Sequence, residues 1–189
     1  MTIGKVDEVV EIELVNYFIK GNIALTKVDE DYPDNKLSGA VFEVYSDTNG
    51  DGKLDKDDTL LGEMKELDGG VYQMSELRYG KYLVKETKAP TGFVLDENVY
   101  SVSVEENGKT YTVENKAGVG FINAAQKGSL KIVKTSSDGK VEGFSFRVTG
   151  VDYDQTFKTD KNGEIVIEGL RIGDYTVSEV NDKASAGYI

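Results

Sequence analysis

The stretch YLVKETKAPTGF, residues 82–93, decides how this chain is read. Strand alternation puts Tyr82, Val84 and Glu86 on one face and Leu83, Lys85 and Thr87 on the other. Alone, it does not say which face is buried. A second copy does. GVYQMSELRYGKYLVKE (70–86) aligns with GEIVIEGLRIGDYTVSE (163–179), matching Leu77, Arg78, Gly80, Tyr82, Val84 and Glu86 to Leu170, Arg171, Gly173, Tyr175, Val177 and Glu179. In the copy Thr176 and Ser178 fill most of the opposite face. The apolar face therefore carries the glutamate in both copies.

The repeat extends upstream. LVNYFIKGNIALTK (14–27) matches INAAQKGSLKIVK (122–134) at Asn16/Asn123, Lys20/Lys127, Gly21/Gly128 and Lys27/Lys134, all separated by the same offset. The chain reads as a tandem array. Residues 1–20 resemble the terminal strand of a preceding or swapped module, 21–127 form a complete unit, and 128–189 form a second, truncated unit expected to lack its closing strand. Helical periodicity is weak, and short alternating runs such as VVEIELVNYF, NIALTKV, AVFEVYS and VYSVSVE recur between glycine-rich polar turns. That spacing predicts an all-β fold of tandem Ig-like sandwiches.

Composition narrows the chemistry. The 189 residues carry a formal net charge of −12, a poor match for nucleic acid or an anionic membrane, and no apolar run has membrane-spanning length. Cysteine and histidine are both absent, which excludes disulfides, thiol chemistry, Cys/His zinc sites and any imidazole base. A conventional enzyme with turnover has little support. No export or wall-sorting signal is visible, so an exported parent implies an internal fragment.

Three polar residues share apolar strand faces: Lys27 with Ile23 and Leu25, Asn123 with Val119 and Phe121, and Glu86 as above. Lys134, Glu179 and Asn16 sit equivalently in the other copies. Buried without partners, such groups cost several kcal/mol apiece. Two explanations fit: a buried salt bridge capped by asparagine, or spontaneous amide formation between lysine and asparagine with the glutamate as catalyst. Desolvation favours the second by lowering a lysine's pKa and raising a glutamate's.

At this point the residues meet a family. YLVKETKAPTGF resembles the E-box of Gram-positive pilins and adhesins, and LTKVD and INAAQKG resemble its partner strands in the collagen-adhesin B-type domains, which are SpaA-like and prealbumin-like. The resemblance implies prealbumin-like sandwiches with an isopeptide bond between first and last strands, formed here by Lys27 and Asn123 with Glu86 as the catalytic acid. The second copy, YTVSEVNDKASAGYI (175–189), keeps Tyr175, Glu179, Gly187 and Tyr188 but lacks the threonine and proline. Lys134 and Glu179 have no later asparagine strand. The unused strand of that type carries Asn16, which raises strand complementation between molecules, with a Lys134–Asn16 bond; the alternative is that arbitrary fragment boundaries leave both ends unpaired.

The insertion DTNGDGKLDKDD (47–58) fits a twelve-residue calcium loop. Asp47, Asn49, Asp51, the Lys53 carbonyl, Asp55 and Asp58 are the expected Ca2+ ligands, with Gly52 at the sharp turn. Aspartate at the twelfth position gives a shorter arm than glutamate and weaker binding. Taken together, the chain reads as a structural stalk or spacer from a cell wall-anchored extracellular adhesin or pilin, partnered by neighbouring modules. A module that binds a host matrix protein or glycan is the alternative.

Overall fold

The structure, a computed structural model, describes residues 6 and 9–188. In chain order the first module contains β1 (Lys20–Asp29), β2 (Val41–Ser46), β3 (Thr59–Glu63), β4 (Lys65–Leu67) and β5 (Val71–Arg78). It continues with β6 (Gly80–Lys88), β7 (Val99–Val104), β8 (Thr110–Thr112) and β9 (Phe121–Asn123). The second contains β10 (Lys127–Val133), β11 (Ser145–Gly150), β12 (Tyr153–Lys158), β13 (Glu164–Arg171) and β14 (Tyr175–Glu179).

Each module is a two-layer sandwich. In the first, one sheet runs β4-β5-β1-β8 with β9 also on β1, and the other runs β3-β2-β6-β7. The inner faces meet around Ile23, Leu25, Phe42, Val44, Tyr72, Val84, Val104 and Phe121. In β1 the period of two is plain: Gly21, Ile23, Leu25 and Lys27 are all buried. One edge of β1 is closed in two pieces. β8 runs parallel to its first half, pairing Asn22 with Thr110, and β9 runs parallel to its second half, pairing Lys27 with Phe121 and Asp29 with Asn123. The close approach of β9 requires Gly120, whose φ is +133° and where an added Cβ would lie 2.8 Å from the Thr26 carbonyl oxygen.

The second module repeats the plan with fewer strands: β10-β13 on one side and β12-β11-β14 on the other, around Phe144, Val148, Ile165, Ile167 and Leu170. Its repeat partners correspond in detail. β1 and β10 carry the same register shift, after Gly21 and after Gly128. Tyr82 donates to the Arg78 carbonyl at 2.6 Å, and Tyr175 donates to the Arg171 carbonyl at 2.9 Å. The motif tyrosine thus anchors the corner leading into its strand, a structural role.

The modules meet at a charged joint that the sequence reading missed. Arg171 donates two hydrogen bonds to Asp29, at 2.7 and 2.9 Å, and a third to Asp31 at 2.9 Å. Its guanidinium lies 4.8 Å from the Tyr32 ring centre, and Lys127 pairs with Asp31 at 3.0 Å. Asp29 is almost fully buried. Burial is the largest single influence and raises its pKa, but the Arg171 hydrogen bonds and charge, joined by the Asp31 and Tyr32 amides, together hold the carboxyl below its ordinary value. The matched arginine of the first copy, Arg78, stacks 4.1 Å from the Phe18 ring.

Two placements within this chain differ from the simplest expectation. The run VVEIELVNYF forms no strand where it is described: residues 9–18 belong to no sheet, the Ile19 carbonyl accepts from the Tyr79 amide at 3.0 Å, and Asn16 is exposed rather than on a core face. Residues 1–5 and 7–8 of the expected terminal strand lie outside the described residues. Lys134 and Glu179 are only partly covered, with side chains 15% and 32% exposed, whereas those of Lys27 and Glu86 are wholly buried. Among the described residues no strand lies on the free edge of β10 as β9 lies on β1, so nothing seals that cluster from water.

Candidate functional site

Lys27, Glu86 and Asn123 converge inside the first module from β1, β6 and β9, where strand alternation turns each side chain inward. Lys27 Nζ lies 3.9 Å from Glu86 Oε1 and donates to the Phe121 carbonyl at 3.0 Å. The Phe121 ring centre is 5.2 Å from the amine. Asn123 Nδ2 contacts both Glu86 oxygens at 2.9 Å. Its Oδ1 is buried without a hydrogen-bond partner. A buried acceptor left unmade is costly. Half a turn of the carboxamide would bring that oxygen to Glu86, where a protonated acid can donate to it.

The electrostatics shift both partners toward their uncharged forms. Burial pulls the Lys27 amine down to about 8 against the opposing pull of Glu86, Asp96 and Asp29. Burial pushes the Glu86 carboxyl up, opposed by donors from the Asp96 amide and Asn123 and by the Lys27 charge. In a dry core, an amine and a carboxylic acid cost less than two ions whose desolvation exceeds their attraction. Neutral amine, protonated acid and adjacent carboxamide are the reactants that amide formation needs.

Positioning residues surround the cluster. The Asp96 backbone amide donates to Glu86 Oε2 at 2.8 Å. The Asp96 carboxylate accepts from Tyr100 at 2.6 Å and from Asn115 at 2.8 Å. Asn115 also donates to the Ile122 carbonyl at 2.9 Å and accepts from the Ile122 amide at 2.6 Å, which fixes β9 in place. The end of the E-box clamps the segment after Asn123: Val94 donates to Ala124 and Gln126 donates to Gly92. None of Asp96, Tyr100 or Asn115 stood out in the sequence, because the second copy stops short of their equivalents and the repeat gives no second instance.

In the second module Lys134 Nζ pairs with Glu179 Oε2 at 2.9 Å, and the amine lies 4.6 Å from the Phe144 ring centre. A cavity of about 260 Å³ opens beside them, lined by Lys134, Glu179, Asn181, Ser185 and Tyr188. Tyr188 packs edge-on against Phe144. Asn16 is not brought to this pair within the chain.

The acidic loop lies between β2 and β3. Asp47 is buried, and its two oxygens accept from the Gly50 and Gly52 amides at 2.7 and 3.1 Å. Asp58 accepts from Thr48 and Asp55, and Asn49 reaches Asp55 at 3.3 Å. Gly52 has a φ of +75°, as the sharp turn requires. These oxygen donors fit a hard cation in kind. In this arrangement the carboxylates hold backbone amides of the loop.

The family described as SpaA, a prealbumin-like fold domain, matches residues 21–117 and 128–189. The Bacillus anthracis TIE protein aligns at 27% identity with a TM-score of 0.66, covering 86% of this chain, which spans 28% of the TIE chain. The minor pilin GBS52 of Streptococcus agalactiae aligns at 26% identity and a TM-score of 0.41, over 58% of this chain and 46% of its own. The shaft pilin SpaA of Lactobacillus rhamnosus GG aligns at 16% identity and a TM-score of 0.44, over 86% and 88%. No curated protein matches. The family match covers both sandwiches and includes both lysine–glutamate strand pairs, and the chain belongs to the SpaA prealbumin-like fold domain family.

Proposed function

We propose that this chain is a load-bearing spacer of a Gram-positive cell-surface adhesin or pilus, sealed in its first module by a self-formed amide between Lys27 and Asn123. The observation that carries this is the buried meeting of Lys27 and Asn123, on the paired strands β1 and β9, with Glu86 reaching them from β6 in the facing sheet. The neutral Lys27 amine attacks Asn123 Cγ while protonated Glu86 polarises the carboxamide oxygen. The new N–C bond forms, the old C–N bond breaks, and the amine's proton passes through Glu86 to the departing ammonia. Glu86 ends as it began. Contact distance in a dry core supplies a large effective concentration, so a slow amide exchange can run once, to completion.

The mechanical consequence follows from topology. A pull entering through Lys20 and leaving through Lys127 would pass along β1 to Lys27, across the amide and out through Asn123, bypassing residues 28–122. The Arg171–Asp29 joint then sets the direction in which the next module continues. The acidic loop is proposed to bind calcium through Asp47, Asn49, Asp51, Asp55, Asp58 and the Lys53 carbonyl, pinning a surface hairpin of like charges.

Exposed apolar side chains do not favour a host-ligand surface. Many of the large ones lie in residues 9–19 or in the thinly covered second module, as with Val133, Val166, Ile172 and Val177. Intact-mass spectrometry tests the amide. The expected mass lies one ammonia below that of the sequence, with tandem fragments joining Lys27 to Asn123. A full sequence mass would sink the proposal.

A further inference from the structure

Asp96 stands where the acid and the closing strand meet. Its main-chain amide donates to Glu86 Oε2 at 2.8 Å, and its carboxylate accepts from Asn115 Nδ2 at 2.8 Å. Asn115 in turn grips both backbone hydrogen-bonding groups of Ile122, the residue before Asn123. One residue therefore holds the acid through its backbone and the carboxamide strand through its side chain. We propose that Asp96 is a positioning residue of the amide-forming cluster: its amide and its Asn115 link hold Glu86 and Asn123 in one geometry, and its carboxylate charge retains the single proton that Lys27 and Glu86 share. This rests on the amide chemistry proposed for the first module and adds a residue to it.

The carboxylate is held in its charged form. Oδ2 also accepts from the Tyr100 hydroxyl at 2.6 Å, and Oδ1 accepts from the backbone amide and the side-chain nitrogen of Asn98 at 3.0 and 2.7 Å. Burial raises the Asp96 pKa, but these donors and Asn115 together hold it below the ordinary carboxylate value. Tyr100, pushed up to about 12 by burial and by Asp96 itself, stays a donor. The orientation of Asn115 depends on the same group. Its oxygen is taken by the Ile122 amide, so its nitrogen faces Asp96 and needs an acceptor there.

That charge acts on the reacting pair. Burial pushes the Glu86 carboxyl up and the Lys27 amine down, and Asp96 raises both. Asp29 on β1 also raises the amine, but Arg171 pairs with it at 2.7 Å. β9 presents Phe121 and Asn123 to the pair, and β2 sets Phe42 opposite Glu86; none of these titrates. A neutral amine beside a protonated acid is a pair carrying one proton. Such a pair is most populated between its two titrations. An anion that raises both moves that window to higher pH, so removing the anion moves it to lower pH.

The test follows amide formation in the full chain, recovered unreacted from inclusion bodies in urea, with its full sequence mass as proof. The chain is refolded by dilution at pH values from about 5 to about 10 and quenched in acid at set times, and intact mass reads the fraction that has lost one ammonia. Asp96→Asn and Asp96→Ser both remove the charge and keep the backbone amide, and the pH of fastest reaction should fall in each. Asp96→Glu keeps the charge and should keep the parental optimum, whatever its rate. Asn115→Ala keeps the charge but cuts the link to β9, so it should react about tenfold more slowly with the optimum unmoved, the worth of one hydrogen bond in the reactive geometry. An optimum that stays in place without the charge, or that falls in Asp96→Glu as well, overturns the role of the carboxylate. Asn115→Ala reacting at the parental rate overturns the anchoring role. A parent chain that keeps its full mass at every pH removes the amide itself and this inference with it, a failure visible before any variant is compared.

Discussion

Replacing Glu86 with glutamine removes the acid while keeping its shape, and the structure sets what should follow. Without a proton donor the amide does not form, and the intact mass rises by one ammonia to the full sequence value. The lost bond closes a loop of 96 residues from Lys27 to Asn123; by analogy with disulfide loop closure, this is worth roughly 4–5 kcal/mol. At roughly 4–5 °C per kcal/mol for a module of this size, the first module should melt roughly 15–25 °C lower. Unreacted Lys27 then remains buried, and its depressed pKa adds a pH signature. The unfolded chain holds the lysine proton up to about its ordinary value of 10.5, while the folded chain gives it up near 8 or lower once the pull of Glu86 is gone. Between those values the unfolded state binds more protons, so the stability of Glu86→Gln should rise with pH through that window. Lys27→Met loses the same bond but carries no buried amine, so it should melt above Glu86→Gln at neutral pH and show no such rise. Scanning calorimetry from pH 6 to 11, paired with intact mass, reads both effects. A Glu86→Gln chain that still lacks one ammonia and melts like the parent would refute the proposed role of the acid.

Other outcomes follow from named contacts. Asn115→Ala frees β9 from its anchor at Ile122 and should yield a mixture of cross-linked and full-mass chains, resolved by mass spectrometry of freshly purified protein. Arg171→Ala should release the joint, and small-angle scattering should report a broader spread of overall dimensions with both modules still folded. Asp29 has a folded pKa below its ordinary value, so the joint should hold at any pH above the usual carboxylate range and loosen only as the pH falls below about 3.9 through the depressed value. Calorimetry with calcium should show heat for the parent chain and none for Asp47→Ala, with the weak affinity expected of aspartate at the twelfth position; a parent chain without heat removes the ion from the loop.

Much of this protein is legible in one dimension. The two copies of the E-box strand identify the apolar face, because a residue type repeated on one side of an alternating strand means a repeated environment. They place Lys27, Glu86 and Asn123 on core faces and divide the chain near Lys127 without coordinates. What the sequence could not give is closure. Burial of a polar residue depends on every strand around it, so the same lysine–glutamate pair is dry where β9 covers it and partly wet at Lys134 and Glu179, where no described strand does. Residues 9–18 alternate in sequence yet form no strand here, since an alternating run becomes a strand only when an edge accepts its hydrogen bonds. The Asp96–Asn115 support and the Arg171–Asp29 joint join residues distant in sequence. Their types are common on any acidic surface, and only the packing of one element against another gives those side chains a shared address.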